Sequence, residues 1–148
     1  MREKQAFAGL WAYNGEIKVN NELYRGLARS FGMAEAAFWV LYFLRMARDG
    51  LTLHDLCGCL YQSKQTVHSA VKQLEAEGAL RAETGTDRRT RTFTLTPRGA
   101  QMAEATVDHV IDAEVRAMME MDEAELAAFL RLFRQYNQAL KREFGEKL

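Results

Sequence analysis

Several features of membrane, disordered and secreted proteins are scarce in this sequence. Its 148 residues include one proline and two cysteines, and the longest apolar run, Ala36 to Leu44, is only nine residues long. A helix that spans a bilayer needs about 20 apolar residues, so no transmembrane helix is expected. With 48% hydrophobic residues, the composition is typical of a folded, helix-rich globular protein rather than of a disordered or collagen-like chain.

The motifs of common catalytic sites are also missing. The sequence has no glycine-rich phosphate loop, no nucleophile elbow, no HExxH pair and no cysteine cluster with zinc-ligand spacing. We therefore expect no enzyme activity, no catalytic residues, no metal site and no cofactor. The N-terminus lacks an apolar segment of signal-peptide length, which favours a cytoplasmic protein with reduced thiols and no membrane partner.

Net charge is absent as well, because twenty basic residues balance twenty acidic ones. The two signs are nevertheless unevenly distributed. Residues 63–98 hold seven Lys/Arg against four Asp/Glu, whereas residues 101–148 hold six against ten. A modest positive patch in the middle of the chain is therefore compatible with a total of zero.

Helical periodicity dominates the two ends of the chain. Apolar residues at helical spacing predict a one-faced helix from about Glu16 to Phe31. The segment from Ala34 to Arg48 is apolar nearly all round, which predicts a helix buried at the centre of the core.

Two further helices are predicted near the C-terminus. Thr96-Pro97 opens a long helix, and Asp122 with Glu125 forms a capping pair for the last one. The last helix carries a seam of apolar side chains that is larger than a monomer of this size usually exposes, which favours a dimer. These side chains are Leu126, Phe129, Phe133, Tyr136 and Leu140.

Between these ends the sequence predicts a helix, a break, a second helix and a hairpin, in that order. Thr52 can cap the first helix, and Ser63 caps the second. Two strands follow, at Leu80–Glu83 and Arg91–Leu95. This is the order of a winged helix-turn-helix, in which the second helix enters a DNA major groove. The predicted fold class is therefore mainly α with a small β-hairpin wing.

Hydrogen-bond donors line the solvent face of the second helix and the tip of the hairpin. Such side chains can reach phosphates and base edges, so a double-stranded DNA partner is indicated, although either feature alone is as well explained by a solvated surface. The predicted recognition-helix contacts are Ser63, Lys64, Gln65, Thr66, His68, Ser69, Lys72 and Gln73. The predicted wing contacts are Arg88, Arg89 and Arg91.

Six short motifs support this interpretation: Leu51-Thr52, Asp55-Leu56, Thr66-Val67, Leu74 to Leu80, Asp87-Arg88-Arg89, and Leu95 to Gly99. Together these motifs resemble the pattern of the MarR family of bacterial transcriptional regulators, with which they align without a gap. The resemblance implies a homodimer, more often a repressor than an activator, that reads an inverted-repeat operator. It also implies that Asp87 braces Arg89 for insertion into the minor groove.

The resemblance also implies how the chain is organised. We expect one MarR-like domain over residues 1–148, with a DNA-binding lobe at 51–96 and helical dimerisation regions at 1–35 and 97–148. Tyr61-Gln62 departs from the Gly-Leu pair that is common at the turn, and Ser69 and Gln73 stand where arginine is common. With the zero net charge, these departures leave open an alternative, a helical dimeric ligand-binding or protein-interaction module with little DNA affinity.

Two sets of residues are candidates for regulating DNA binding. Small aromatic ligands of MarR proteins bind between the dimer helices and the winged lobe, and a similar cleft here would be lined by Tyr24, Trp39, Tyr42 and Arg45. Alternatively, Cys57 and Cys59 form a thiol sensor whose oxidation disturbs the neighbouring recognition helix. Plain core packing is the simpler explanation of both sets.

Overall fold

The structure, a computed structural model, describes residues 1–85 and 90–145. Within these ranges the chain forms eight helices and one three-stranded sheet, and it divides into two compact units, residues 1–107 and 108–148. The elements in chain order are α1 Arg2–Tyr24, α2 Leu27–Ser30, α3 Glu35–Ala47, β1 Leu51–Thr52, α4 Leu53–Cys59, α5 Lys64–Ala76, β2 Leu80–Thr84, β3 Arg91–Leu95, α6 Pro97–Ala105, α7 Val107–Met119 and α8 Glu123–Phe144.

The first helix has other bounds than the sequence predicted. It begins at Arg2 and ends at Tyr24, so the expectation of one continuous helix from Glu16 to Phe31 is wrong. Gly26 adopts a φ of 81°, in the left-handed region that glycine tolerates best, and the chain turns there before the single turn of α2. No single helix of the described residues can cross a membrane, although Arg2–Ser30 and Glu35–Ala47, bent by 100°, reach the length and composition together.

The core of the first unit is built around α3, as its uniformly apolar sequence predicted. This helix contacts α5, α6 and β3, and Val67 and Leu74 of α5 are almost fully buried in the same core. Burial of one such side chain stabilises the fold by about 1.5–3 kcal/mol. The buried residues of α3 are Ala36, Ala37, Phe38, Val40, Leu41 and Leu44.

Capping bonds fix the starts of α4 and α5 at the predicted residues. Thr52 Oγ1 accepts a hydrogen bond from Asp55 N, and Asp55 Oδ2 accepts one from Thr52 N, both at 3.1 Å. This reciprocal pair is a capping box. Ser63 Oγ accepts a hydrogen bond from Thr66 N at 3.2 Å and caps α5. The helix, turn and helix therefore occur where the sequence predicted them.

The hairpin belongs to a three-stranded antiparallel sheet in which β3 is central. β2 pairs with β3 from Leu80↔Leu95 to Thr84↔Arg91, so the first strand of the predicted hairpin is one residue longer than predicted. β1 pairs with the other edge of β3 through Leu51↔Phe93 and Thr52↔Thr92. The sequence indicated only a helix start at Leu51-Thr52, because a strand of two residues shows no alternation.

The long helix predicted after Thr96-Pro97 is interrupted at Thr106. Thr96 Oγ1 caps α6 by accepting a hydrogen bond from Gly99 N at 3.1 Å, as expected. Thr106 has φ −134° and ψ −89°, outside the helical region, so α6 ends and α7 begins on either side of it. Its hydroxyl donates to the carbonyl oxygen of Met102 at 2.6 Å. Such local side-chain bonds compete with the helical backbone pattern.

The second unit contains α8, which begins at the predicted capping pair. Asp122 Oδ1 accepts a hydrogen bond from Glu125 N at 2.8 Å, and Glu125 Oε2 accepts one from Asp122 N at 2.9 Å. The predicted apolar seam is partly exposed in this single chain: Phe129 and Phe133, which stack with ring centroids 6.4 Å apart, retain 48% and 43% exposure, and the other three side chains of the seam are half-buried. No residue of α8 is buried.

Candidate nucleic-acid interface

One face of α5 packs into the core and the opposite face is open to solvent. The inward residues are Val67, Ala70, Val71 and Leu74. The structure places all eight predicted recognition-helix residues, from Ser63 to Gln73, on the exposed side. This exposed face carries two lysines and no acid, because Glu75 and Glu77 follow only at the C-terminal end of the helix and its cap.

The N-terminal end of α5 is the part of this face best suited to a phosphate. The first backbone N–H groups of a helix are unpaired by the helix itself, and the macrodipole places partial positive charge there. Lys64 is the first residue of the helix, and Tyr61 in the preceding turn is fully exposed. The sequence indicated Tyr61-Gln62 only as a break, because an aromatic residue is more often buried than exposed.

Some predicted contact residues already have local partners. The hydroxyls of Ser63 and Thr66 lie 2.8 Å apart, in addition to the capping bond between these two residues. Gln73 Nε2 donates to Glu77 Oε1 at 3.1 Å. A hydroxyl has one donor and two acceptor positions, so Ser63 can cap the helix and accept or donate a further bond. Gln73 has to give up or share its amide bond to reach a base.

The described part of the wing is its base. Asp87, Arg88 and Arg89 lie outside the described residues, so the bracing of Arg89 by Asp87 stays a prediction. Arg91 Nη2 donates to Glu75 Oε2 at 2.9 Å, and its guanidinium lies 5.3 Å from the centroid of the Phe93 ring. Sequence reasoning missed Glu75, because an ion pair between residues sixteen apart leaves no periodic signal.

Aromatic rings from α1 and α3 form a cluster that includes most of the predicted ligand site. Trp39 lies 5.7 Å from Tyr24 and 5.1 Å from Tyr42, between ring centroids. Phe38 and Phe43 also contact Trp39, at 5.1 Å and 6.4 Å. The sequence missed these two rings in this role, because an apolar run does not show which members touch. The fourth predicted residue, Arg45, is half-buried on α3, one turn beyond the tyrosine of that helix.

The two cysteines lie on α4, the helix that precedes α5. Cys57 and Cys59 are free thiols, each half-buried, and both pack against the hydrophobic core of the first unit. That core includes Leu56 of α4 and Val67 of α5, so the thiols lie next to the packing that supports α5.

Comparison with known proteins relates the middle of the chain to one family. Residues 31–90, which span the helix-turn-helix and the first strand of the hairpin, match the model of the MarR family. This segment of the chain is similar to the MarR family, whose members are DNA-binding transcription regulators, and the match supports that role for the chain. No curated protein sequence matches the chain at a significant level.

Solved structures of MarR-family proteins share the fold. The regulator NMB1585 from Neisseria meningitidis superposes with a TM-score of 0.77 at 18% identity, over 95% of this chain and 99% of its own. A MarR/EmrR family transcriptional regulator from Acinetobacter sp. ADP1 superposes with a TM-score of 0.67 at 20% identity, over 90% of this chain and 97% of its own. The MepR chain of the S. aureus MepR–DNA complex superposes with a TM-score of 0.66 at 18% identity, over 88% of this chain and 96% of its own. At these identities the likeness establishes a winged-helix MarR fold.

Proposed function

We propose that this protein acts as a homodimeric repressor on an inverted-repeat DNA operator. The observation that carries the proposal is the exposed, acid-free face of α5 from Ser63 to Gln73, which begins at a capped helix N-terminus. S. aureus MepR, a protein of similar fold, has been solved in complex with DNA, which supports the same use of this face. Repression follows if the bound dimer covers a promoter.

In the proposed complex α5 lies in the major groove. Gln65 and Ser69 are one turn apart on the helix and face base edges, whereas Lys64, Lys72 and the helix N-terminus contact phosphates. The Tyr61 hydroxyl is a further phosphate donor in the turn. The wing arginines, Arg88 and Arg89, enter the minor groove, where a narrow groove concentrates negative potential.

The dimer is supported by apolar side chains that a single copy leaves in water. α1 exposes an aromatic and aliphatic set throughout its length, and α8 exposes another. Burial of such surface between two copies gains about 25 cal/mol per Å² of apolar area. The residues concerned are Phe7, Leu10, Trp11, Ile17, Val19 and Leu23 of α1, and Phe129, Leu130, Leu132, Phe133 and Phe144 of α8.

Selection of duplexes from a random pool by the purified protein tests the proposal. We expect enrichment of an inverted repeat whose half-site centres lie about 10 base pairs apart, one helical turn. A reporter gene placed behind the selected sequence should fall in expression when the protein is produced. If no sequence is enriched, the alternative of a dimeric ligand-binding or protein-interaction module with little DNA affinity is favoured instead.

A small-molecule ligand is one proposed regulator of DNA binding. The Tyr24, Trp39 and Tyr42 rings provide aromatic walls, and Arg45 is a cation close along the same helix that suits a carboxylate. Benzoate is a suitable probe, because it combines one ring with one carboxylate. We expect benzoate to change Trp39 fluorescence and to weaken DNA binding, and Arg45→Met to lose both responses.

Thiol oxidation is the other proposed regulator. Oxidation of Cys57 or Cys59 to a sulfenic acid adds a polar oxygen beside the core that holds α4 against α5. Peroxide should then weaken DNA binding, and replacement of both cysteines by serine should abolish the response. A response that persists in the double variant would remove the thiols from the mechanism.

A further inference from the structure

Arg91 stands where the hairpin meets α5, and its side chain has two partners there. Nη2 donates to Glu75 Oε2 at 2.9 Å, and the guanidinium lies over the Phe93 ring at 5.3 Å from the centroid. Side chains alternate along a strand, so Arg91 and Phe93 project from the same face of the sheet. Phe93 is buried in the core that includes Leu74 of α5, which identifies this face as the one turned towards the helix.

We propose that Arg91 is a positioning residue that, with Glu75, fixes the β2–β3 hairpin to α5, instead of contacting a DNA phosphate itself. The inference rests on the proposed function, because it assigns a role within the same DNA interface. It also explains why an acid, Glu75, is present on a recognition helix whose outer face is otherwise free of acids up to Gln73.

The strand pairing explains why an ion pair to α5 is useful at Arg91. β1 pairs with β3 only at Thr92 and Phe93, so β1 does not extend to Arg91. At that position β3 pairs only with Thr84 of β2. The ion pair therefore connects the hairpin to α5 at the point where the third strand no longer supports it.

The chemistry of arginine suits this role. Its planar guanidinium stacks on an aromatic face while its edge donates to a carboxylate, which lysine cannot do in the same way. The side chains of Arg91 and Glu75 retain 50% and 34% exposure, so the pair adds little to global stability. We expect the ion pair to raise DNA affinity instead, because a hairpin that is ordered before binding loses less conformational entropy on binding.

The direction in which one substitution changes DNA affinity distinguishes a positioning role of the ion pair from a purely electrostatic effect. Glu75→Gln removes a negative charge from the DNA-binding lobe, so electrostatics alone would tighten binding. We expect it to weaken binding by about fivefold, which is about twofold for each of the two surface ion pairs that the dimer loses. Arg91→Met should also weaken binding. The variant that carries both changes should bind no more weakly than Arg91→Met alone, because both changes break the same ion pair.

Glu83→Gln is the matched control. Glu83 lies on β2 and pairs with Arg81 of its own strand at 3.2 Å, so this change removes the same charge without touching α5. We expect no loss of affinity for the control. If Glu75→Gln binds the selected duplex as tightly as the unaltered protein or more tightly, while Arg91→Met lowers the salt slope by the value of about one phosphate contact per protomer, Arg91 is a direct contact and the inference is wrong.

Amide hydrogen exchange without DNA gives a second measurement that does not depend on the proposed function. The backbone amides of the β2–β3 ladder should exchange faster in Glu75→Gln than in the unaltered chain or in Glu83→Gln. Unchanged exchange in Glu75→Gln would overturn the inference. If the unaltered chain selects no DNA, the proposed function fails. The exchange rates alone then decide whether the ion pair fixes the hairpin to α5.

Discussion

At the scale of single residues, the exposed face of α5 contains side chains with different roles before DNA is bound. Ser63 and Thr66 bond to each other and cap the helix, whereas Lys72 projects from the middle of the face. A lysine that neutralises one phosphate releases condensed counterions from the duplex. Its contribution is therefore visible in the salt dependence of binding.

Lys72→Ala should lower the slope of log affinity against log salt by about 0.9 for each protomer of the bound dimer, the value for one phosphate contact. Fluorescence anisotropy titrations of the selected duplex over a range of salt concentrations measure it. Lys18→Ala is the control, because Lys18 lies on α1, 4.0 Å from Glu22, and its removal changes net charge by the same amount. Equal slopes for the two variants would show that Lys72 acts only through total charge.

At the scale of single elements, the capping box of α4 makes stability depend on pH. Hydrogen bonds from the Thr52 backbone and side chain hold the pKa of Asp55 below its ordinary value of 3.8. A carboxyl whose pKa is lower in the folded state stabilises the fold above its ordinary pKa. That contribution is lost as the pH falls from 3.8 through the lower folded value.

Urea unfolding of the unaltered chain and of Asp55→Asn across this pH range measures the effect. We expect the difference in free energy of unfolding to be largest near neutral pH and to shrink as the carboxyl is protonated. Asp112→Asn, which removes an exposed carboxylate of α7, serves as the control. A difference for Asp55→Asn that does not change with pH would contradict a role for its charge.

The start of α6 depends on a close approach that only glycine permits. A Cβ added at Gly99 would lie 2.1 Å from the carbonyl oxygen of Ala79 and 3.3 Å from Leu95 Cδ2. Gly99→Ala should therefore lower the free energy of unfolding by about 1–3 kcal/mol, as other overpacked substitutions do. Gly58→Ala in α4 meets nothing within 4 Å and should instead stabilise the chain by about 0.5–1 kcal/mol. Equal effects of the two changes, measured by chemical unfolding, would contradict this reason for the glycine.

Long elements with caps could be predicted from the sequence, and short or interrupted ones could not. α5 and α8 have a clear apolar periodicity and begin after the capping residues Ser63 and Asp122, and α3 is indicated by its continuous apolar run. The two-residue strand β1 and the break at Thr106 depend on pairing and backbone angles that no periodic pattern encodes.

The candidate site could likewise be predicted only in part from the sequence. The exposed face of α5 could be predicted, because the polar positions of an amphipathic helix are known once its apolar face is known. The Arg91–Glu75 pair and the contact of Phe43 with Trp39 could not, since both depend on how separate residues meet in three dimensions.

At the scale of the whole molecule, the proposed function requires that two copies of the chain bind DNA together. Phe133→Glu places a charge in the exposed apolar seam of α8, where Phe133 stacks on Phe129. Sedimentation velocity should show a shift from dimer to monomer, and affinity for the inverted repeat should fall with it. Gln138→Glu adds the same charge at an exposed polar position of α8 and should leave both unchanged. A Phe133→Glu variant that stays dimeric would exclude this seam from the interface.

The claim that two α5 faces engage successive turns of one duplex is tested most directly by the spacing of the half-sites. The measurement is an anisotropy titration of the unaltered protein against the selected inverted repeat and against repeats with inserted base pairs. We expect an insertion of about five base pairs, half a turn, to abolish specific binding, because it moves one half-site to the opposite side of the helix. Affinity that is the same at every spacing would contradict the claim.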